Sequence, residues 1–149
     1  MSFTNSKRNS PCVGICSTTY GDLVCRGCRR FAHEIVGWNG YAEQQKNAIV
    51  DRLNKIKTSV ISQYIFISNS FEYSSYCKEL GFEADRSEDE IYVVLSYLVA
   101  KSQKFEVAGI SFCDDQVKFS ATSDLMRFLE SEMYLRAQAQ YERNFKIRV

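Results

Sequence analysis

Four cysteines within seventeen residues constrain this chain more than anything else in it. Cys12, Cys16, Cys25 and Cys28 follow the pattern Cys-x3-Cys-x8-Cys-x2-Cys inside the stretch from Ser10 to Trp38. Two close pairs, each with a glycine in its loop, are what tetrahedral thiolate coordination of one metal centre requires. Gly14 and Gly27 lack a β-carbon, which lets backbone N–H groups turn toward the sulfurs. Arg26, Arg29 and Arg30 surround the second pair, where positive charge offsets a tetrathiolate site and lowers thiol pKa values.

This donor set suits either a structural Zn²⁺ or an iron-sulfur cluster, and sequence does not separate the two. Four cysteines make a closed site, whereas catalytic zinc keeps an open position and commonly mixed ligands. The single histidine, His33, is expected exposed in a short helix rather than on the metal. Clustered cysteines in a reducing compartment serve as metal ligands or redox groups more often than as disulfides.

At 149 residues and 45% hydrophobic, the chain is long enough for a small metal-built module joined to a second compact unit. Lys plus Arg number 19 against 18 Asp plus Glu, so the whole-chain charge argues for no polyanionic partner. Residues 1–40 do hold Lys7, Arg8, Arg26, Arg29 and Arg30 against Asp22 and Glu34. With Tyr20, Phe31 and Trp38 nearby, that pattern admits a zinc-knuckle nucleic-acid binder contacting its ligand through Arg26, Arg29 and Arg30; a solvated basic face is the simpler reading. The polar start M-S-F-T-N-S-K-R-N-S and the absence of a long apolar run point to a soluble, cytoplasmic protein with no membrane contact.

Taken in order, residues 1–9 read as a flexible arm and residues 10–57 as the four-cysteine module. Its first helix is expected from Phe31 to Trp38, with Ile35 and Trp38 on one face. A longer helix from Ala42 follows, carrying Ile49, Leu53 and Ile56. Residues 58–149 read as an α+β domain, giving the whole chain an α+β fold class: strand, two helices, hairpin, helix. The strand is expected at residues 60–69, although Ile56, Val60 and Tyr64 also suit a continuing helix. Tyr73, Tyr76, Cys77 and Leu80 share a helical face that Gly81 terminates.

Ser87 and Glu90 form a capping box ahead of the stripe Ile91, Val94, Leu95, Leu98 and Val99. Glu88, Asp89 and Glu90 suit the first turn of that helix and are given no catalytic role. A hairpin is expected from Phe105–Cys113 and Gln116–Ser120 around Asp114 and Asp115. A final helix from about Ser123 buries Leu125, Phe128, Leu129 and Met133. Cys77 and Cys113 are expected to be small buried hydrophobes. No phosphate loop, nucleophile elbow or paired-His motif is present, so no catalytic residue is assigned.

The runs S-P-C-V-G-I-C, C-R-G-C-R-R and E-I-V-G-W, with the helix containing K-N-A-I-V, resemble a small bacterial domain of unknown function labelled as a predicted iron-sulfur protein. Its pattern is S-P-C-x-G-x-C, C-x-G-C-x-R, E-I and W, and the likeness runs from Ser10 to Leu53. Phe31 departs from a usual Thr and Ala42 from a usual Ser, which weakens two helix caps, and Gln45-Lys46 replaces Glu-Arg. The resemblance implies metal binding and names no reaction. The chain is therefore expected to be a cytoplasmic bacterial accessory protein whose second unit contacts another protein. An electron-transfer component of an oxidoreductase is a further alternative.

Overall fold

The computed structural model describes residues 10–12 and 16–145. The arm at 1–9, with Lys7 and Arg8, and Gly14 in the first cysteine loop lie outside the described residues. The chain divides into two compact units, Met1–Leu53 with Tyr134–Val149, and Asn54–Met133. This division differs from the one expected at Lys57 chiefly in giving the end of the last helix to the cysteine-bearing unit.

In the first unit a 3₁₀ turn at Ser17–Tyr20 follows Cys16, and an antiparallel bridge between Val24 and Phe31 encloses the second cysteine pair. Helix α1 (Ala32–Gly37) starts directly after the bridge, and a 3₁₀ turn at Trp38–Gly40 leads toward helix α2 (Glu43–Tyr64). Both helix starts keep half of a capping box. Phe31 N–H donates to Glu34 Oε1 at 2.8 Å, and Ala42 N–H to Gln45 Oε1 at 2.8 Å. Only the hydroxyl half is lost where Phe31 and Ala42 replace Thr and Ser.

Trp38, Ile49 and Leu53 form a small core, with Tyr41 and Val50 packed against it. Ile49 and Leu53 meet it from one face of α2, four residues apart. In the same unit, Tyr141 and Phe145 set their rings 5.3 and 5.4 Å from that of Phe31. Those edge-on aromatic contacts hold the last turns of helix α5 (Thr122–Phe145) in this unit.

In the second unit α2 continues to Tyr64, and strand β1 is only Ile65–Ile67. Of the strand expected over residues 60–69, the first half is thus helix and only Ile65–Ile67 is strand. Val60 and Ile61 are fully buried on the helix, and that burial outweighs their β propensity.

The expected hairpin does not form either. Phe105–Ala108 is a 3₁₀ turn, strand β2 is Ile110–Phe112, and residues 116–120 make no strand. β2 pairs instead with β1, antiparallel, with Ile65 opposite Phe112 and Ile67 opposite Ile110. The distant partner wins because it buries Ile65 and Ile110, whereas Val117 is left exposed. The turn at Asp114 is real, with Val117 N–H bonded to Asp114 O at 3.1 Å. Phe119 reaches back to Phe112 and Phe128, at ring separations of 5.0 and 5.7 Å.

Helix α3 (Ser70–Glu79) is capped by Asn69 and buries Tyr73, Tyr76 and Cys77. Helix α4 (Glu88–Ala100) is capped by Ser87 and buries Ile91, Val94, Leu95 and Leu98. Leu125, Leu129 and Met133 on α5 complete the apolar set, and Phe128 is half-buried. Cys77 is buried as expected, but Cys113 is exposed. It follows the last residue of β2, where its N–H still reaches Tyr64 O at 2.8 Å but the sheet no longer covers its side chain.

Candidate metal centre

The Val24–Phe31 bridge forces C-R-G-C into a tight knuckle. Cys25 N–H donates to Arg30 O at 2.9 Å, Arg29 N–H donates to Cys25 O at 2.8 Å, and Arg29 takes the left-handed φ of +66° that reverses the chain. Cys25 and Cys28 are both buried. Burial raises the Cys25 thiol pKa, but backbone groups of Cys28, Ser17 and Gly27, with the Cys28 side chain, outweigh it and bring the value down to about 7. For Cys28 burial wins and the thiol is raised, with Arg30 acting in the opposite direction.

The turn that follows Cys16 lies against this knuckle. Arg26 N–H donates to Ser17 Oγ at 2.8 Å, and the backbone of Ser17 faces the Cys25 sulfur. Cys16 Sγ is 2.7 Å from Thr18 Oγ1, and Cys12 is exposed, its N–H donating to Ser10 Oγ. Among the described residues no three His, Cys, Asp or Glu side chains are gathered closely enough to hold a metal ion. The structure therefore brings Cys25 and Cys28 together and places Ser17, next to Cys16, beside them, while among the described residues neither Cys12 nor Cys16 joins the pair in a group of three ligands. Two buried sulfurs served by backbone N–H groups and a guanidinium have the chemistry of a thiolate half-site, and in that respect the residues fit a cysteine-held metal or cluster.

The three arginines do not form one patch. Arg30 is 4% exposed, its Nε donates to Cys28 Sγ at 3.3 Å, and its guanidinium lies 4.7 Å from the Trp38 ring centroid. Arg26 is exposed, 4.6 Å above the Tyr134 ring and 3.4 Å from Asp22 Oδ2. Arg29 is half-buried. His33 is exposed on α1, its ring 4.8 Å from that of Phe145.

Glu34, which the sequence marks only as a motif and capping residue, and Arg52, which it does not mark, tie α1 to α2. Glu34 accepts from Arg52 Nη1 at 2.6 Å and Nη2 at 2.8 Å, and the same guanidinium stacks 4.1 Å from the Phe31 ring centroid. The signal was present in part, since Glu34 follows the cysteine motif closely. Nothing marked Arg52, which reads as one more charge on a polar helix face.

Residues 10–57 match the family described as Protein of unknown function (DUF1289). The match covers less than half of the chain: both cysteine loops, α1 and most of α2. No curated protein and no solved structure matches the chain.

In the second unit the titratable side chains close a loop rather than open a site. Glu90 Oε1 accepts from Tyr73 Oη at 2.5 Å and from Arg86 N–H at 3.2 Å, while Oε2 accepts from Asp85 N–H at 2.8 Å. Burial, then Glu90, push the Tyr73 phenol and the Cys77 thiol upward in pKa. A groove of about 370 Å³ is lined mainly by Tyr64, Phe112, Cys113, Val117 and Phe128, with Asp114 its one charged side chain.

Proposed function

We propose that residues 10–57 form a four-cysteine metal-binding module, ligated by Cys12, Cys16, Cys25 and Cys28, in a cytoplasmic accessory protein. One observation carries the reading: Cys25 and Cys28 share a buried knuckle in which backbone N–H groups and Arg30 are already directed at sulfur. A zinc ion or iron-sulfur cluster bound there would supply a cross-link for a module with a small apolar core. The second unit is the partner-facing part in this reading, supported by Phe71, 80% exposed on α3, and by the exposed Phe66 of β1.

Anaerobic purification followed by metal and acid-labile sulfide analysis, with a visible spectrum, tests the proposal. It expects one centre per chain that disappears in a Cys25→Ser, Cys28→Ser variant. Zinc without sulfide or visible absorption assigns a structural ion, and iron with sulfide assigns a cluster. Neither metal after reconstitution ends the reading.

A further inference from the structure

Among the described residues Arg30 is the one Lys or Arg that is buried. A guanidinium does not give up its proton, so burial leaves a permanent charge that is costly unless an anion faces it. Among the described residues no carboxylate lies within ion-pair distance of Arg30. Glu34, the buried carboxylate of the same segment, is committed to Arg52 and to Phe31 N–H. What Arg30 does face is sulfur: Nε points at Cys28 Sγ from 3.3 Å, and the Trp38 ring supports the guanidinium plane from 4.7 Å.

We infer that Arg30 is a positioning residue of the metal centre, donating an N–H···S bond to Cys28 and supplying a buried counter-charge to the ligand set. The inference rests on the four-cysteine reading. Trp38 then acts as the platform that fixes the guanidinium, and an arginine is needed because a lysine offers neither the planar group to stack nor the Nε donor. Arg26 does not share the role, since it is exposed and turned toward Tyr134 and Asp22. A donor to a ligand sulfur withdraws electron density from it and holds its orientation, so both affinity and sulfur-to-metal charge transfer report on it.

The test is titration of the full metal-free chain with Co²⁺, whose thiolate charge-transfer band reads the sulfur directly. Arg30→Met is expected to bind about 10–100-fold more weakly, with the band moved to longer wavelength, while Arg26→Met changes little. Arg30→Lys, which keeps the charge, should recover part of the affinity but not the band position. If Arg30→Met retains the native Trp38 fluorescence and binds Co²⁺ with wild-type affinity and band, the inference is wrong. Should Arg30→Met fail to fold, Arg30→Lys decides: a displaced band supports the role, and an unchanged band with unchanged affinity overturns it. A wild-type chain that develops no thiolate band leaves no Co²⁺ site for Arg30 to position and overturns the inference, whereas the four-cysteine reading falls only if the metal and sulfide analysis also finds neither metal.

Discussion

Glu34 closes three hydrogen bonds with one buried carboxylate, to Phe31 N–H and to both terminal nitrogens of Arg52. Removing one partner of such a pair leaves the other charge without compensation, although Arg52 keeps some access to water, its side chain being 24% exposed. Glu34→Ala is therefore expected to cost about 2–4 kcal/mol in urea unfolding, and Glu34→Gln, which retains an acceptor for Phe31 N–H, distinctly less. A cost in Glu34→Ala no larger than that of a surface substitution would show that water replaces the pair. Cysteine reactivity offers a second check at this scale. Cys77 is buried with its thiol pushed up by burial and by Glu90, so at mildly alkaline pH it holds less thiolate than an ordinary cysteine and should label only as the chain opens. Cys113 is exposed and should label in the native state, as peptide mapping after brief alkylation would show. Sequence fails at this scale for a definable reason. Glu34 and Arg52 stand eighteen residues apart, and the burial of Cys113 depends on where a strand ends, which no local pattern states.

Elements whose partners are local were legible, and those whose partners are distant were not. The stripe Ile91, Val94, Leu95, Leu98 and Val99 and the face Tyr73, Tyr76, Cys77 and Leu80 are helical periodicities that need no knowledge of the rest of the chain, and both helices form, with Val99 and the C-cap residue Leu80 only half-buried. The hairpin expected after Phe105 failed because a three-residue strand is defined by what it pairs with, and β2 pairs with a strand more than forty residues earlier. Gly109 makes that pairing specific. It has φ +70°, its carbonyl accepts from Ser68 and Asn69 N–H, and a β-carbon built on it would stand 2.3 Å from Asn69 O. Gly81 has φ +91° with nothing within 4 Å of such a β-carbon. Gly81→Ala should therefore cost only the left-handed backbone penalty, about 1–2 kcal/mol. Gly109→Ala adds a backbone collision and should cost several-fold more, or prevent folding. Equal thermal shifts for the two variants would mean that the β2–α3 junction relaxes freely.

At the scale of the whole molecule, the two units differ in what their cores are made of. The second buries Val60, Ile61, Val94, Leu95, Leu98, Ile110, Leu125, Leu129 and Met133 completely, a set that needs no further staple. The first relies on Val24, Phe31, Trp38, Ile49 and Leu53 together with the two buried cysteines. Composition alone suggested two units, but it could not place the division, which falls inside α2 and inside α5. A helical pattern runs through such a point without any change of period. Replacing Cys25 and Cys28 by Ser puts hydroxyl groups where buried sulfurs sit and removes half of the proposed ligands. Hydrogen exchange should then show residues 24–41 losing protection while residues 91–98 keep theirs, because α4 draws its burial from the second unit's own core. Loss of protection in both segments together, at the same denaturant concentration, would instead mean that α2 and α5 bind the units into one cooperative fold, with the cysteine knuckle contributing to the stability of all of it.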